Sequence, residues 1–108
     1  MLLEGTDTKL LVVIIPTKES VYAEYIEGDK SLQASEKLGR LIADEREVNA
    51  EVKEYFDAHG IAYVDVLGAL GQKAGSVQIY PANFGGHTNG SGYRIIAETI
   101  NAYLESAR

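Results

Sequence analysis

Residues Leu10 to Ile15 read Leu-Leu-Val-Val-Ile-Ile and stop at Pro16. Six apolar side chains without alternation fit a strand covered on both faces, which is the condition of a strand inside a parallel sheet. A second strand fits Ile61-Ala62-Tyr63-Val64-Asp65-Val66. Between them, Glu36 to His59 places Leu38, Leu41, Ile42, Val48, Val52, Tyr55 and Phe56 on one stripe at 3.6 residues per turn, and Gly60 supplies the stop. Strand, helix, strand predicts a right-handed crossover between parallel strands. The fold class is α/β.

The remaining segments fit around that unit. Val21, Tyr22, Tyr25 and Ile26 predict one short helix within Thr17 to Ser35, followed by a loop through Gly28-Asp29-Lys30. Leu67 to Gly86 holds five glycines and reads as a long loop with one helical turn near Leu70. From Asn89 or Ser91 a last helix runs to about Ser106, burying Tyr93, Ile96, Ala97, Ile100, Tyr103 and Leu104. The whole, residues 1–108, is one α/β unit in the order β-α-β-α. Two strands are too few for a sheet to stand by itself. Leu2 and Leu3 before Gly5 read like the end of a helix. Either an N-terminal half is missing or something binds, a second copy included.

Composition removes several functions. The apolar share of 45% and charged share of 24% are those of a folded protein. The net charge of −6, with no basic cluster, argues against nucleic acid and anionic membrane as partners. There is no cysteine, so disulfides, thiol catalysis and Cys-based zinc sites are excluded. Two distant histidines make no metal site, and no cofactor motif is present. Met1 to Gly5 lacks the charged and apolar regions of a signal peptide, and no apolar run approaches a membrane span. The compartment stays open.

In open α/β sheets ligands bind beyond the C-terminal ends of the strands. Pro16-Thr17-Lys18-Glu19, Asp65 onward and Gly85-Gly86-His87-Thr88-Asn89 converge there. His87 stands just ahead of a helix N-terminus and reads either as a surface loop residue beside an asparagine helix cap or as a general base, since the helix dipole disfavours the imidazolium. Thr17 reads either as a pocket residue or as a helix cap, and Lys18 as a pocket residue or a solvated cation. Glu45 and Asn49 interrupt the apolar stripe of the long helix and need hydrogen-bond partners. Asp65 reads as a loop-fixing residue and His59 as a helix C-terminal cation.

Gly86-His87-Thr88-Asn89-Gly90-Ser91-Gly92-Tyr93, running into Arg94-Ile95-Ile96-Ala97-Glu98, is similar to the final block of SGNH/GDSL-type hydrolases. In that family the catalytic histidine is followed by a small residue or proline, an asparagine and a Gly-Tyr that opens the last helix. Val12 to Tyr22 resembles a late strand and loop of the alginate O-acetyltransferase-like branch, and the helix with Asn49, followed by Gly60 to Val66, resembles the crossover into the last strand. The likeness covers nearly all of this chain and the C-terminal half of the family's domain.

The resemblance implies part of a flavodoxin-like, three-layer SGNH domain acting on acyl esters or O-acetylated carbohydrates by Ser-His-Asp chemistry. It gives His87 the role of general base and makes Thr17, Lys18 and Asn89 substrate-side residues. The family's Gly-Asp-Ser block and oxyanion residues have no counterpart in the 108 residues. Where its aspartate stands, three positions before the histidine, this chain has Phe84, and Asn83 is the nearest polar stand-in. The expectation is a histidine-bearing segment inactive by itself, or else a non-catalytic binding or dimerisation module of the same ancestry.

Overall fold

A computed structural model describes residues 5, 7–28, 36–82 and 86–107, with only the backbone of 26–28. The elements are β1 (Leu11–Ile14), α1 (Lys18–Val21), α2 (Ala23–Gly28), α3 (Glu36–Ala58), β2 (Ala62–Asp65), α4 (Leu67–Ala74) and α5 (Gly90–Ser106). β1 and β2 pair in parallel with Leu11 opposite Ala62 and Ile14 opposite Asp65. Among the described residues they form a two-stranded sheet.

The alternation of side chains along β2 sorts the helices onto its faces. Val64 joins Val66, Leu70 of α4, Ile79 and Ile96 of α5 in the core, with Leu11 and Val13 of β1 packed against them. The neighbouring residues point the other way, to α3. The Tyr63 ring lies 5.7 Å from that of Phe56, and Asp65 pairs with Lys53 at 2.5 Å. The sheet thus carries α3 on one face and α4 with α5 on the other. α3 ends in a paired Schellman arrangement: Ile61 N–H donates to the Phe56 carbonyl at 2.9 Å and Gly60 N–H to that of Asp57 at 3.4 Å. Gly60 takes φ +65°, a value that favours glycine.

Several expectations need correction. The single helix within Thr17–Ser35 is two, broken at Tyr22, and residues 29–35 lie outside the described residues, as do Leu2 and Leu3. The long loop after β2 contains an eight-residue helix, α4. Gly68 and Gly71 hid it, although Leu67, Leu70 and Ala74 sit at helical spacing and pack against the core. β1 is half-buried at all four residues, and Ile15 is 61% exposed, because no described strand lies along its outer edge. On α3 only Ile42 is buried, while Leu41 (64%), Val48 and Tyr55 face solvent.

The last helix is rotated from its expected setting. Gly92 and Ile96 are buried and Ile100 and Tyr103 half-buried, while Tyr93, Ala97 and Leu104 are exposed. The cause is local. A Cβ on Gly92 would lie 2.5 Å from Thr88 Cβ and 2.7 Å from the Ile79 carbonyl oxygen, so the glycine edge is the one that presses onto the chain beneath. Gly92→Ala is expected to cost about 1–3 kcal/mol through this overlap. Gly39→Ala, in open space on α3, is expected to add about 0.5–1 kcal/mol of helix stability. Urea denaturation of the two variants checks the contrast.

Candidate functional site

Pro16 is buried at the tip of β1, and Thr17 directly after it caps α1. The Thr17 N–H and hydroxyl donate to the two oxygens of Glu45 at 2.9 and 2.6 Å. The Thr17 hydroxyl also accepts from Ser20 N–H at 3.3 Å. The Ser20 hydroxyl donates to Glu45 as well. Glu45, the carboxylate that interrupts the apolar stripe of α3, is therefore the fastening between α3 and the loop leaving β1. Burial alone would raise its pKa. The hydrogen bonds from the Ser20 hydroxyl, the Thr17 hydroxyl and the Thr17 N–H outweigh burial and the nearby Asp65 charge, and hold it below its ordinary 4.5.

At the tip of β2, Asp65 accepts from Leu67 N–H at 2.9 Å, starting α4, while its other oxygen holds Lys53 of α3. This is the loop-fixing role read from the sequence. His59 Nδ1 donates to the Tyr55 carbonyl at 2.8 Å, and its ring stacks on Tyr55 at 4.0 Å, so it closes the C-terminal turn of α3.

His87 is held from both sides. Ahead of it, the chain over Gln78 and Ile79 is tied to Asn89: Asn89 N–H donates to the Ile79 carbonyl at 2.8 Å and its side-chain amide to that of Gln78 at 2.9 Å. Behind it, the Asn89 side-chain oxygen accepts from Gly92 N–H at 3.0 Å, capping α5. The imidazole is exposed and borders a depression of about 60 Å³ shared with Ile15, Pro16, Tyr80, Thr88 and Tyr93. Among the described residues, no serine and no carboxylate borders that depression. The Thr88 hydroxyl, in a residue 8% exposed, is buried without a hydrogen-bond partner among the described residues.

The structure thus brings His87 and Lys18 to the end of β1 that the sequence indicated. Lys18 Nζ lies 5.4 Å from the centre of the Tyr80 ring, which floors the depression. Burial, then the Tyr22, Glu19 and Glu45 charges, push the Tyr80 phenol up to about 12, so it stays protonated. Sequence reasoning passed over Tyr80, which stands in a glycine-rich stretch with no periodic pattern to mark it. The polar atoms of Thr17 and Asn89 are engaged in capping and fastening. Asn83 lies outside the described residues. Among the described residues no group of three or more His, Asp or Glu side chains is placed to hold a metal. Nor is any described helix long and apolar enough to cross a membrane.

No family model matches the chain, and no curated protein and no solved structure matches it at a significant level.

The Glu45 fastening has a pH signature. A carboxyl whose folded pKa is depressed stabilises the fold above its unfolded value, and that contribution is lost as pH falls from 4.5 through the lowered folded value. Urea midpoints taken from about pH 7 to about pH 3 are expected to fall across this window. Glu45→Gln is expected to lower the midpoint at neutral pH and to flatten the fall.

Proposed function

We propose that the chain is the histidine-bearing part of an SGNH-like, flavodoxin-type esterase or O-acyltransferase, with His87 as its general base. The observation that carries the reading is the placement of His87. Its imidazole is exposed at the C-terminal end of β1, held ahead of the N-terminus of α5 by the Asn89 clamp. In such a reaction a serine attacks the acyl carbonyl, the imidazole takes the hydroxyl proton, and the imidazolium returns it to the departing alkoxide. Lys18 beside Tyr80 is the cation best placed to meet the substrate. Acyl esters, O-acetylated carbohydrates among them, are the substrate class. On this reading a serine and a supporting carboxylate join His87 from elsewhere, since among the described residues none borders its depression.

A second reading is favoured by a different observation. Leu41 and Val48 lie exposed on α3 and border, with Thr17 and Glu19, a groove of about 480 Å³ beside the loop that leaves β1. A non-catalytic module that dimerises or binds a partner would use such a face without calling on His87.

Residues 1–108 are expected to show no turnover of p-nitrophenyl acetate above buffer. A chain extended upstream along its reading frame through a Gly-Asp-Ser block is expected to hydrolyse it, and His87→Ala to reduce the rate by about 10³-fold or more. Turnover by residues 1–108 alone, or an extended enzyme indifferent to His87→Ala, would sink the proposal. A reading frame with no such block would favour the module.

A further inference from the structure

A cleft much larger than the depression at His87 lies elsewhere among the described residues. It opens beyond the C-terminal end of β2, has a volume of about 620 Å³, and is walled by α1, α2, α3 and α4. We infer that this cleft is a binding site for a small, neutral, hydroxyl-rich molecule of roughly monosaccharide size, built from Arg46, Glu24, Gln72, Tyr25 and the glycine face of α4. The inference goes beyond the hydrolase reading and holds whether or not His87 is catalytic.

Position and size come first. The C-terminal side of a parallel sheet is where α/β folds receive ligands, and the volume is that of small-molecule sites, about 300–1,000 Å³. The lining then selects the chemistry. Arg46 of α3 and Glu24 of α2 both border the cleft, yet the one ion pair among the described residues is Lys53–Asp65. Their charges therefore remain available to a guest. An anion would meet the carboxylates of Glu24 and Asp65, and a cation would meet the guanidinium of Arg46. A neutral molecule with several hydroxyls meets neither penalty and can donate to Glu24 while accepting from Arg46. Gln72 can do both.

Shape supports the same guest. Gly68 and Gly71 leave one side of α4 bare, and a Cβ on Gly68 would meet nothing within 4 Å. Their lack of side chains, which obscures the helix in the sequence, opens the cleft. Tyr25 is held in place by its hydroxyl, which donates to the Gly71 carbonyl at 3.3 Å, and by an edge contact with Tyr22 at 6.2 Å. An aromatic wall beside planar polar side chains suits the apolar face and the hydroxyl rim of a pyranose ring.

The test is a titration of residues 1–108 with methyl α-D-glucopyranoside and methyl β-D-galactopyranoside, followed by amide NMR. At least one glycoside is expected to bind with a Kd on the order of 1 mM, shifting the amides of Gly68, Gly71 and Gln72 and leaving those around His87 in place. Inorganic phosphate and methylammonium are expected to leave the same amides unmoved. Arg46→Ala, at an exposed position, is expected to weaken binding about tenfold. Gly68→Leu is expected to keep the fold, fill the cleft and abolish binding. No shift with either glycoside, a larger response to phosphate or methylammonium, or undiminished binding by Gly68→Leu would overturn the inference.

Discussion

α5 reaches the sheet only because residue 92 has no side chain. The Ile79 carbonyl and the Thr88 methyl occupy the space a Cβ would need, and this approach sets the rotation of the whole helix. That rotation sends Ile96 into the cluster of Val64, Val66, Leu70 and Ile79, and it leaves Tyr93 outside. The Asn89 side chain fastens the same turn at both ends, to Gln78 on one side and to Gly92 on the other. The position of His87 follows from this packing. It is set by the core, and among the described residues the imidazole makes no hydrogen bond of its own.

A second constraint is polar. α3 faces the sheet with Ile42, Val52 and Phe56, but the same side carries Glu45 and Lys53. Each spans a layer boundary: Glu45 gathers the loop after β1, and Lys53 meets Asp65 at the end of β2. Apolar packing alone does not fix how far a helix slides along a sheet, whereas a three-donor carboxylate and a short ion pair do. The energetic value of each half-exposed pair is modest, but together they place both strand tips relative to α3. The two clefts at that end of the sheet are shaped by this registration.

The sequence made the parallel pairing, α3 and the start of α5 legible because each rests on a strong local signal: an unbroken β-branched run, a long 3.6-residue stripe with a glycine stop, and an asparagine cap. It also marked Glu45 as a polar group needing partners, and Ser20 and Thr17 proved to be those partners. It failed where tertiary contact overrules local preference. Gly68 and Gly71 weaken the helical signal of α4, which forms because Leu70 is drawn fully into the core. The outward setting of Tyr93 depends on an overlap at Gly92 that periodicity does not encode. At the candidate site the sequence order put His87 and Lys18 at the same end of β1. It could not reveal Tyr80, nor that Thr17 and Asn89 are engaged in holding the backbone.

The long crossover also dictates an order of assembly. β1 and β2 lie on either side of the 23 residues of α3, so their pairing must wait until a large loop has closed, whereas α3 and α5 can begin to form from neighbouring residues. In that interval the Leu10–Ile15 run is an unpaired, strongly β-prone segment, the kind that recruits other chains. It is bracketed by Lys9 on one side and by Pro16 and Lys18 on the other. A charge before such a run, and an imide followed by a charge after it, limit how far a foreign strand can extend along it. Pro16 and Lys18, which stand at the C-terminal end of β1, and Lys9 at its start are thus placed to act as gatekeepers during folding.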